Sequence, residues 1–326
     1  MSACTSSIAC FCVAADRNRP IAVLTGPTGT GKSGFALRLA REFPIEIVSV
    51  DSAQVYRGLD IGSAKPDAAE RAAVPHHLID LVEPSASYSA GQFVRDAAQA
   101  IDDIEARGRV PLLVGGTMLY LRALIGGLAT LPRASDSIRA TIDADAQRLG
   151  WPAMHARLHE VDAAAAARIH PNDAQRIQRA LEVYTASGRP ISELQTATTR
   201  PIDREFICAA LVPHDRARLH IALSQRFEAM MTAGLLDEVR GLFARGDLTD
   251  GHPAIRAVGY RQLWAHIAGA YPLETAVARA VAATRQLAKR QMTWLRTMPD
   301  ILAFDPYETQ SFVGVRESLI ASFERA

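Results

Sequence analysis

Short apolar runs alternate with amphipathic segments between residues 20 and 115 of the chain. Apolar runs of this length that end abruptly at Gly or Asp are typical of buried parallel strands. The segments between them have helical periodicity, and Ser89 can cap the longest one. Strands that alternate with helices predict an α/β fold with helices on both faces of a parallel sheet. The predicted strands are Ile21–Thr25, Ile45–Val50, Val74–Val82 and Val110–Val114, and the predicted helices span 33–42 and 90–106.

The pattern changes near residue 130, after which only helical periodicity continues up to about residue 203. Three helices are predicted there, and a strand-like run, Phe206–Val212, follows them. We therefore expect an all-helical insertion that interrupts an α/β core whose C-terminal part is mostly helical. The predicted divisions are a flexible extension at 1–19, a core at 20–129 and 204–326, and an insertion at 130–203 with helices at 135–149, 153–169 and 172–187.

Composition narrows the class of protein without identifying it. Hydrophobic residues make up 48% of the chain, and 36 Lys+Arg nearly balance 35 Asp+Glu, so any nucleic-acid site must come from local basic patches. Cys4, Cys10 and Cys12 crowd into the first dozen residues and Cys208 stands alone, which is not the distribution of a disulfide framework or a zinc site. No apolar stretch is long enough to span a bilayer. We expect a cytoplasmic protein, and a monomer.

One motif carries a strong chemical signal. The segment Gly26-Pro27-Thr28-Gly29-Thr30-Gly31-Lys32-Ser33 matches G-x-x-x-x-G-K-[ST] in full, directly after a predicted strand and before a predicted helix. Backbone N–H groups of such a P-loop bind phosphate oxygens, Lys32 adds a positive charge, and Ser33 is the expected Mg²⁺ ligand. The core is therefore predicted to be P-loop NTPase-like. The motif indicates a diphosphate but does not say which group the diphosphate carries.

Two further features lie at the ends of predicted strands, where parallel sheets bind their ligands. Asp51 follows the second strand and could act as a base toward an acceptor that faces the P-loop. A helix or turn cap, or a group that supports a bound metal ion, is an equal alternative for this carboxylate. Gly115-Gly116-Thr117 closes the fourth strand, where glycines permit a close backbone approach and the Thr117 hydroxyl could reach a phosphate.

Basic residues cluster at three places in this nearly neutral chain. From Thr284 to Pro299 there are four basic residues and no acid, and Arg285, Lys289, Met292 and Arg296 share one helical face. Such a stripe suits a nucleic-acid backbone, although a solvated helix face explains it equally well. The other clusters are Gln175–Arg179 and Arg256–Arg261, and in the second Tyr260 could stack on a base.

Several long blocks together resemble the bacterial tRNA dimethylallyltransferase family, also known as tRNA isopentenyltransferases. The resemblance extends from about Ile21 to Arg296 and keeps the order of the family's blocks. The blocks are GPTGTGKS, SVDSAQVYRGLDIGSAKP, VPLLVGGTMLYLRAL, RIHPNDAQRIQRALEVY, RFEAMMTAGLLDEVRGLFARGDL, IRAVGYRQLW and ATRQLAKRQMTWLR.

The resemblance implies a Mg²⁺-dependent transfer of dimethylallyl from its diphosphate to N6 of the adenine 3′-adjacent to a tRNA anticodon. It implies that the P-loop binds the prenyl diphosphate, that Asp51 is the base, and that Thr117 and Arg226 support the diphosphate. The tRNA anticodon stem-loop is the implied partner. The residues implied to bind tRNA are Asp51, Ser52, Ala53, Gln54, Arg139, Gln175, Arg176, Ile177, Gln178, Arg179, Arg256, Ala257, Val258, Gly259, Tyr260, Arg261, Lys289, Arg290, Gln291 and Arg296.

Two other functions fit parts of the pattern. A small-molecule kinase also combines a P-loop with a carboxylate at the end of the second strand, but it leaves the acid-free basic segment unexplained. A nucleotide-dependent switch that binds RNA would need a metal-binding Asp after an apolar strand, whereas Val110–Val114 ends in glycines.

Overall fold

The computed structural model describes residues 19–129, 131–132, 134–196 and 198–323. Except for Arg19, the predicted N-terminal extension and its three cysteines lie outside the described residues. The chain divides into two compact units, one formed by 1–122 and 202–326 and the other by 123–201. The second unit thus covers nearly the same part of the chain as the expected insertion at 130–203.

Eight strands lie in the described part of the chain, and six of them form one parallel sheet. The sheet order is β3-β2-β4-β1-β7-β8, with β1 at an interior position between β4 and β7. The strands are β1 (Ile21–Thr25), β2 (Ile45–Val50), β3 (His76–His77), β4 (Val110–Gly115), β5 (Leu128–Ala129), β6 (Thr198–Thr199), β7 (Phe206–Leu211) and β8 (Ile301–Phe304). All residues of β1, β2 and β4 are buried, as expected for strands covered on both faces.

Helices account for most of the remaining described residues. They are α1 (Lys32–Ala40), α2 (Ala68–Ala73), α3 (Ala90–Ala106), α4 (Met118–Gly126), α5 (Asp136–Leu149), α6 (Trp151–Val161), α7 (Ala163–Ala166), α8 (Ala174–Ser187), α9 (Ile191–Leu194), α10 (Arg216–Thr232), α11 (Leu235–Ala244), α12 (Tyr260–Ile267), α13 (Leu273–Leu295) and α14 (Ser311–Phe323). Among the described residues, none of the helices combines the length and the apolar character needed to cross a lipid bilayer.

The predicted parallel α/β fold is confirmed, but the third predicted strand is wrong in extent. Only His76–His77 of the run 74–82 pairs with β2. Leu78 and Asp80 have φ values of 62° and 55°, which are incompatible with an extended strand. Val74 and Leu78 of this run are buried, whereas Ile79, Leu81 and Val82 are only partly buried. The sequence analysis also missed β8, which pairs with β7 at the other edge of the sheet.

Within the second unit, helices surround a small apolar core that includes Met154, Leu158, Ile177 and Val183. The single helix predicted over 153–169 is wrong, because Asp162 interrupts it with φ −154° and ψ 78°. The carboxylate of Asp162 accepts the backbone N–H of Ala165 at 2.9 Å and starts a new short helix there. The predicted helix over 172–187 is confirmed, and Gly188 ends it.

Helices α10 to α13 belong to the first unit and share an apolar cluster with Val55, Tyr56 and Leu59. Phe227, Leu235, Tyr260 and Trp264 are among its buried members. Cys208 lies in β7 as a buried free thiol, and burial raises the pKa of that thiol to about 11. The thiol is therefore held in its unreactive protonated form.

Candidate active site

The P-loop residues Gly26–Ser33 connect the end of β1 to the start of α1. Gly31 is the N-cap of α1 with φ 79°, and no side chain caps the helix. The first N–H groups of α1 are therefore available to an anion. A Cβ on Gly26 would lie 2.6 Å from the carbonyl oxygen of Leu211, so the loop packs directly against the end of β7. Sequence and backbone together form the concave phosphate site that the motif predicts.

Lys32 is folded back over this loop. Its Nζ donates to the carbonyl oxygens of Gly26 at 2.9 Å and Pro27 at 2.7 Å. Burial and, to a smaller extent, repulsion from Arg226 together lower the pKa of Lys32 to about 7, although attraction to Asp51 opposes the shift. The ammonium group therefore holds its proton weakly until a negative ligand arrives.

Asp51 begins a tight turn after β2. Its Oδ1 accepts the backbone N–H groups of Ala53 at 2.8 Å and Gln54 at 3.4 Å, and among the described residues no donor is bonded to Oδ2. The Asp51 carboxylate thus caps the turn that it begins, which is the structural role considered in the sequence analysis. Its second oxygen, Oδ2, remains free to act on an acceptor substrate. The structural and chemical roles of Asp51 are compatible.

Thr117 fixes the same turn from the neighbouring strand. Its Oγ1 accepts the backbone N–H of Ser52 at 3.0 Å, and its own N–H donates to the carbonyl oxygen of Val50 at 3.1 Å. The hydroxyl is therefore already engaged with the Asp51 turn, where the sequence analysis expected it to reach a phosphate. Its clearest contribution in this structure is to hold Ser52 beside Asp51.

Arg226 lies on α10 and lines the same cavity as Lys32 and Asp51. Burial lowers the pKa of this guanidinium, while attraction to Asp51 opposes the shift. An arginine remains protonated in spite of such a shift, so it is a permanent positive charge in the cavity. No signal in the local sequence marks Arg226, and only the family resemblance selected it.

Residues of the P-loop, Asp51 and Arg226 line a cavity of about 530 Å³ in the first unit, whereas Thr117 does not line it. Thr28, Lys32 and Ser33 line it on the P-loop side, and Asp51 and Arg226 also face it. Part of its wall is apolar and is formed by Ile61, Ala229, Met230 and Ala233. The cavity thus combines positively charged side chains and the start of α1 with an apolar surface.

Among the residues that follow Asp51, Ser52 is exposed and Gln54 is committed to internal contacts. Gln54 Oε1 accepts from the Ser49 hydroxyl at 2.8 Å, and Nε2 donates to the carbonyl oxygens of Ser63 and Ala64. Gln54 also lines the cavity. The Gln54 amide therefore stabilises the cavity wall. An RNA base could contact only those edges of the amide that are not used in these three hydrogen bonds.

The basic stripe predicted on helix α13 is partly wrong. Met292 is buried with Leu219 and Leu223, and Arg285 donates to the hydroxyl of Ser224 at 2.9 Å. Those two positions face α10, because the helix must bury one face to pack. Among the cations of this predicted stripe and its neighbours at 284–299, Lys289, Arg290 and Arg296 are exposed, and Arg296 is the C-cap that follows α13.

Gln291 does not lie with those exposed cations. Only 8% of the residue is exposed, and its amide bonds to the backbone of Thr28 and of Gly116 inside the cavity. The sequence-based placement of Gln291 in a tRNA surface is therefore wrong for this structure. Nothing in the pattern AKRQMTW separates a glutamine that points inward from the arginine beside it.

The cluster 256–261 keeps two exposed cations, Arg256 and Arg261, but its tyrosine is inaccessible. Tyr260 is fully buried and its hydroxyl donates to Glu238 at 2.6 Å. Burial raises the pKa of Tyr260, which keeps this donor protonated. The expectation that Tyr260 stacks on a base is wrong, because its ring packs within the apolar cluster of α10 to α13. Gly259 is buried as well, and Ala257 and Val258 are partly buried.

Glu238 was missed by the sequence analysis. Its carboxylate accepts the backbone N–H groups of Asp60, Ile61 and Gly62 at 2.9, 2.8 and 3.2 Å, in addition to the Tyr260 hydroxyl. Ile61 lines the cavity, so Glu238 holds one wall of the site in place. A lone glutamate on a helix gives no signal of such a role in sequence.

In the second unit, the cluster 175–179 is part of an internal network. Arg139 and Arg179 both bond to the buried carboxylate of Glu182, at 2.9 and 3.4 Å. Ile177 is fully buried, so its side chain cannot contact tRNA in this structure, and that expectation is wrong. Arg176 pairs with Asp173 and Gln178 donates to Asp143, while the remaining member of the cluster, Gln175, is exposed.

Comparison with known proteins identifies the family. A family model described as IPP transferase matches residues 54–298, and one described as isopentenyl transferase matches residues 20–82. A Bordetella petrii protein named tRNA dimethylallyltransferase is 57% identical over 289 residues, covering 88% of this chain and 92% of that protein. A protein of the same name from Paraburkholderia phymatum is 56% identical over 291 residues, with the same two coverages.

Solved structures agree with these matches. The full-length tRNA isopentenylpyrophosphate transferase from Bacillus halodurans has a TM-score of 0.68 and 33% identity, over 93% of this chain and 96% of that chain. A eukaryotic dimethylallyltransferase described as acting on tRNA has a TM-score of 0.78 and 26% identity, over 92% and 78%. Because a family model spans most of the residues and relatives share more than half of theirs, the chain belongs to the IPP transferase family, which includes the tRNA dimethylallyltransferases.

Proposed function

We propose that the protein transfers a dimethylallyl group from dimethylallyl diphosphate to N6 of the adenine 3′-adjacent to the anticodon of tRNA, and releases diphosphate. One observation carries the proposal: Lys32, Arg226 and the free start of α1 face the same cavity as the Asp51 carboxylate. A site for a leaving diphosphate and a proton acceptor for an incoming amine thus lie in one cavity.

The residues divide the work of the transfer between them. The bond between the allylic C1 and the diphosphate oxygen breaks, and the electron pair leaves with the diphosphate. The adenine N6 forms the new bond to C1, and one N6 proton passes to the Asp51 carboxylate. Lys32, Arg226 and the N–H groups of the P-loop stabilise the negative charge that develops on the diphosphate oxygens.

Magnesium fits the donor set on the P-loop side of the cavity. Ser33 lines the cavity next to Lys32, and a hydroxyl together with diphosphate oxygens is the hard oxygen environment that Mg²⁺ prefers. Ser33 would therefore hold the ion against the diphosphate. Bound Mg²⁺ would supply charge stabilisation to the leaving group.

In this proposal the apolar wall of the cavity binds the prenyl group. Ile61, Ala229, Met230 and Ala233 expose hydrocarbon to the cavity. A five-carbon group against this wall is shielded from water, which would otherwise capture a cation-like C1. This part of the proposal explains why a P-loop is combined with an apolar surface.

On the RNA side, the proposal assigns phosphate contacts to the exposed cations Arg256, Arg261, Lys289, Arg290 and Arg296. The chain carries a formal net charge of only +1, so such contacts depend on local patches. The target adenine must leave its stack to reach Asp51, as in other enzymes that modify a base. A single chain supplies every residue named above, which is consistent with a monomer that acts on tRNA in the cytoplasm.

The test is a direct transfer assay. Purified protein, Mg²⁺, labelled dimethylallyl diphosphate and tRNA with adenines 3′ of the anticodon should yield N6-prenyladenosine, detected by mass after digestion of the RNA. Asp51→Asn keeps an oxygen for the N–H groups of Ala53 and Gln54 but removes the base. We expect transfer to fall at least a hundredfold, which is the lower range for loss of a general base, while tRNA affinity stays within twofold.

Unchanged turnover in Asp51→Asn would show that Asp51 is not the base. If the unmodified protein makes no prenylated RNA but consumes ATP in the presence of a small-molecule pool, the kinase is the correct function instead.

A further inference from the structure

Gln291 joins two loops of the cavity through a single side chain. Its Oε1 accepts the backbone N–H of Thr28 at 2.9 Å, and its Nε2 donates to the carbonyl oxygen of Gly116 at 2.8 Å. Thr28 belongs to the P-loop after β1, and Gly116 belongs to the turn after β4. A primary amide offers a donor and an acceptor at once, which is what these two backbone groups require.

The surroundings hold this amide in one place. A Cβ on Gly116 would come within 2.6 Å of Gln291 Nε2 and 3.0 Å of the Gly26 carbonyl oxygen, so the turn approaches the side chain as closely as a glycine allows. On the adjacent turns of α13, Ala288 and Met292 are buried against α10. The helix is therefore fixed by packing, and Gln291 is fixed with it.

The bond to Gly116 continues toward the proposed base. Thr117 follows Gly116 in the chain, and its hydroxyl accepts the N–H of Ser52, the residue after Asp51. One contiguous path thus runs from the P-loop at Thr28 through Gln291 and Thr117 to the Asp51 turn. Strands β1 and β4 pair through Thr25 and Gly115, but this pairing ends before the loops begin.

We propose that Gln291 is a positioning residue that sets the distance between the bound diphosphate and the Asp51 turn. This inference rests on the proposed function. Transfer requires the allylic carbon, the N6 amine and the base to be aligned, and an error of about 1 Å in such an alignment can cost on the order of a hundredfold in rate. Among the described residues, the Gln291 amide forms its hydrogen bonds with backbone groups, so it acts through the two loops.

The experiment compares two glutamines of the same helix. Gln291→Met keeps the length and bulk of the side chain but removes both hydrogen bonds, and Gln286→Met makes the same change at an exposed position of α13. We expect kcat of Gln291→Met to fall roughly tenfold to a hundredfold, with the KM for tRNA within twofold of the unmodified protein. Gln286→Met should change neither constant by more than twofold.

A double-mutant cycle tests the path itself. Thr117→Val removes the hydroxyl that holds Ser52, so its effect and that of Gln291→Met should combine to less than the product of the two separate losses. Gln291→Glu serves as a second variant if Gln291→Met does not fold. It retains the acceptor but turns an oxygen toward the Gly116 carbonyl, and a similar loss of kcat is expected.

Three results would overturn the inference. They are a kcat of Gln291→Met within twofold of the unmodified protein, a loss confined to the KM for tRNA as expected of a direct RNA contact, and fully multiplicative effects in the cycle. Failure of the unmodified protein to prenylate tRNA would refute the proposed function instead, so the two failures are distinguishable.

Discussion

At the scale of single residues, Lys32 shows how strongly the fold changes ordinary chemistry. A lysine in water is protonated far above neutral pH, but burial beside Arg226 lowers the pKa of Lys32 to about 7. The ligand-free protein therefore loses this charge gradually as the pH rises through 7. A bound diphosphate favours the protonated form, so binding takes up a proton in that range.

This predicts a pH-dependent affinity for inorganic diphosphate. Above pH 7, where ligand-free Lys32 is mostly neutral, the affinity of the protein should fall with each further pH unit, because the complex binds more protons than the free protein. Lys32→Arg stays protonated and should lose this part of the dependence. Calorimetric titration between pH 6.5 and 9 in two buffers of different ionisation enthalpy measures the proton uptake. Equal uptake in the two proteins would contradict the shifted pKa.

The role of Asp51 could be predicted from the sequence, whereas the role of Gln291 could not. The carboxylate could be placed from its position after a strand, because strand ends in a parallel sheet bind ligands. Gln291 could only be grouped with its basic neighbours, because helical periodicity gives the direction of a side chain and not the identity of its partners. Its two partners are 263 and 175 residues away along the chain.

At the scale of elements, Glu238 connects helix α11 to the segment Asp60–Gly62. The carboxylate satisfies three backbone N–H groups and the Tyr260 hydroxyl. Those N–H groups have no strand or helix of their own to pair with, since the segment is a turn. A buried donor without a partner is costly, so this one side chain stabilises the wall of the cavity that Ile61 forms.

The corresponding prediction concerns stability. Glu238→Gln replaces one acceptor oxygen with an NH₂ group that faces donors, and we expect the free energy of unfolding to fall by about 1–3 kcal/mol. Asp237→Asn, a change of the same kind at the exposed neighbouring residue, should alter it by less than about 0.5 kcal/mol. Urea unfolding of the three proteins measures the difference. Equal stability of Glu238→Gln and Asp237→Asn would show that the carboxylate does not hold the turn.

Most strands and helices of the first unit could be predicted from local sequence patterns. The wrong prediction of a strand over 74–82 has a physical cause. Strands β1, β2 and β4 are mainly apolar because both faces of the sheet are covered, although Glu46 and Ser49 of β2 are buried as well. The run 74–82 has apolar residues at both ends, but its residues Leu78 and Asp80 adopt left-handed backbone conformations, so its pairing with β2 is confined to His76–His77. An apolar sequence pattern indicates that a segment is buried, but it does not by itself indicate that the segment is an extended strand.

At the scale of the whole molecule, the chain is almost neutral, so any attraction to RNA must be local. Three exposed cations, Lys289, Arg290 and Arg296, lie at the C-terminal end of helix α13, where Arg296 is the C-cap, while another face of the helix packs on α10. The same helix therefore carries both a cationic surface and, through Gln291, a contact with the P-loop.

Salt dependence should reveal that surface. Changing Lys289, Arg290 and Arg296 to Gln removes three candidate phosphate contacts and should lower the slope of log affinity for tRNA against log salt concentration by about 2 to 3. The same change at Arg41, Arg57 and Arg240, three exposed arginines outside α13, should leave the slope nearly unchanged. Filter binding at several salt concentrations is sufficient. Equal slopes in the two triple variants would exclude α13 as an RNA surface.

The parallel α/β core, the P-loop and the position of Asp51 could be predicted from the chain alone, because each leaves a recognisable pattern in a short segment of sequence. Which side chains of the basic clusters face inward depended on tertiary packing. Tyr260, Ile177, Met292 and Gln291 are buried because partners distant in sequence cover them, and the energy of a contact depends on the partner as much as on the residue. Long-range packing is therefore what brought a set of scattered candidate residues into one cavity.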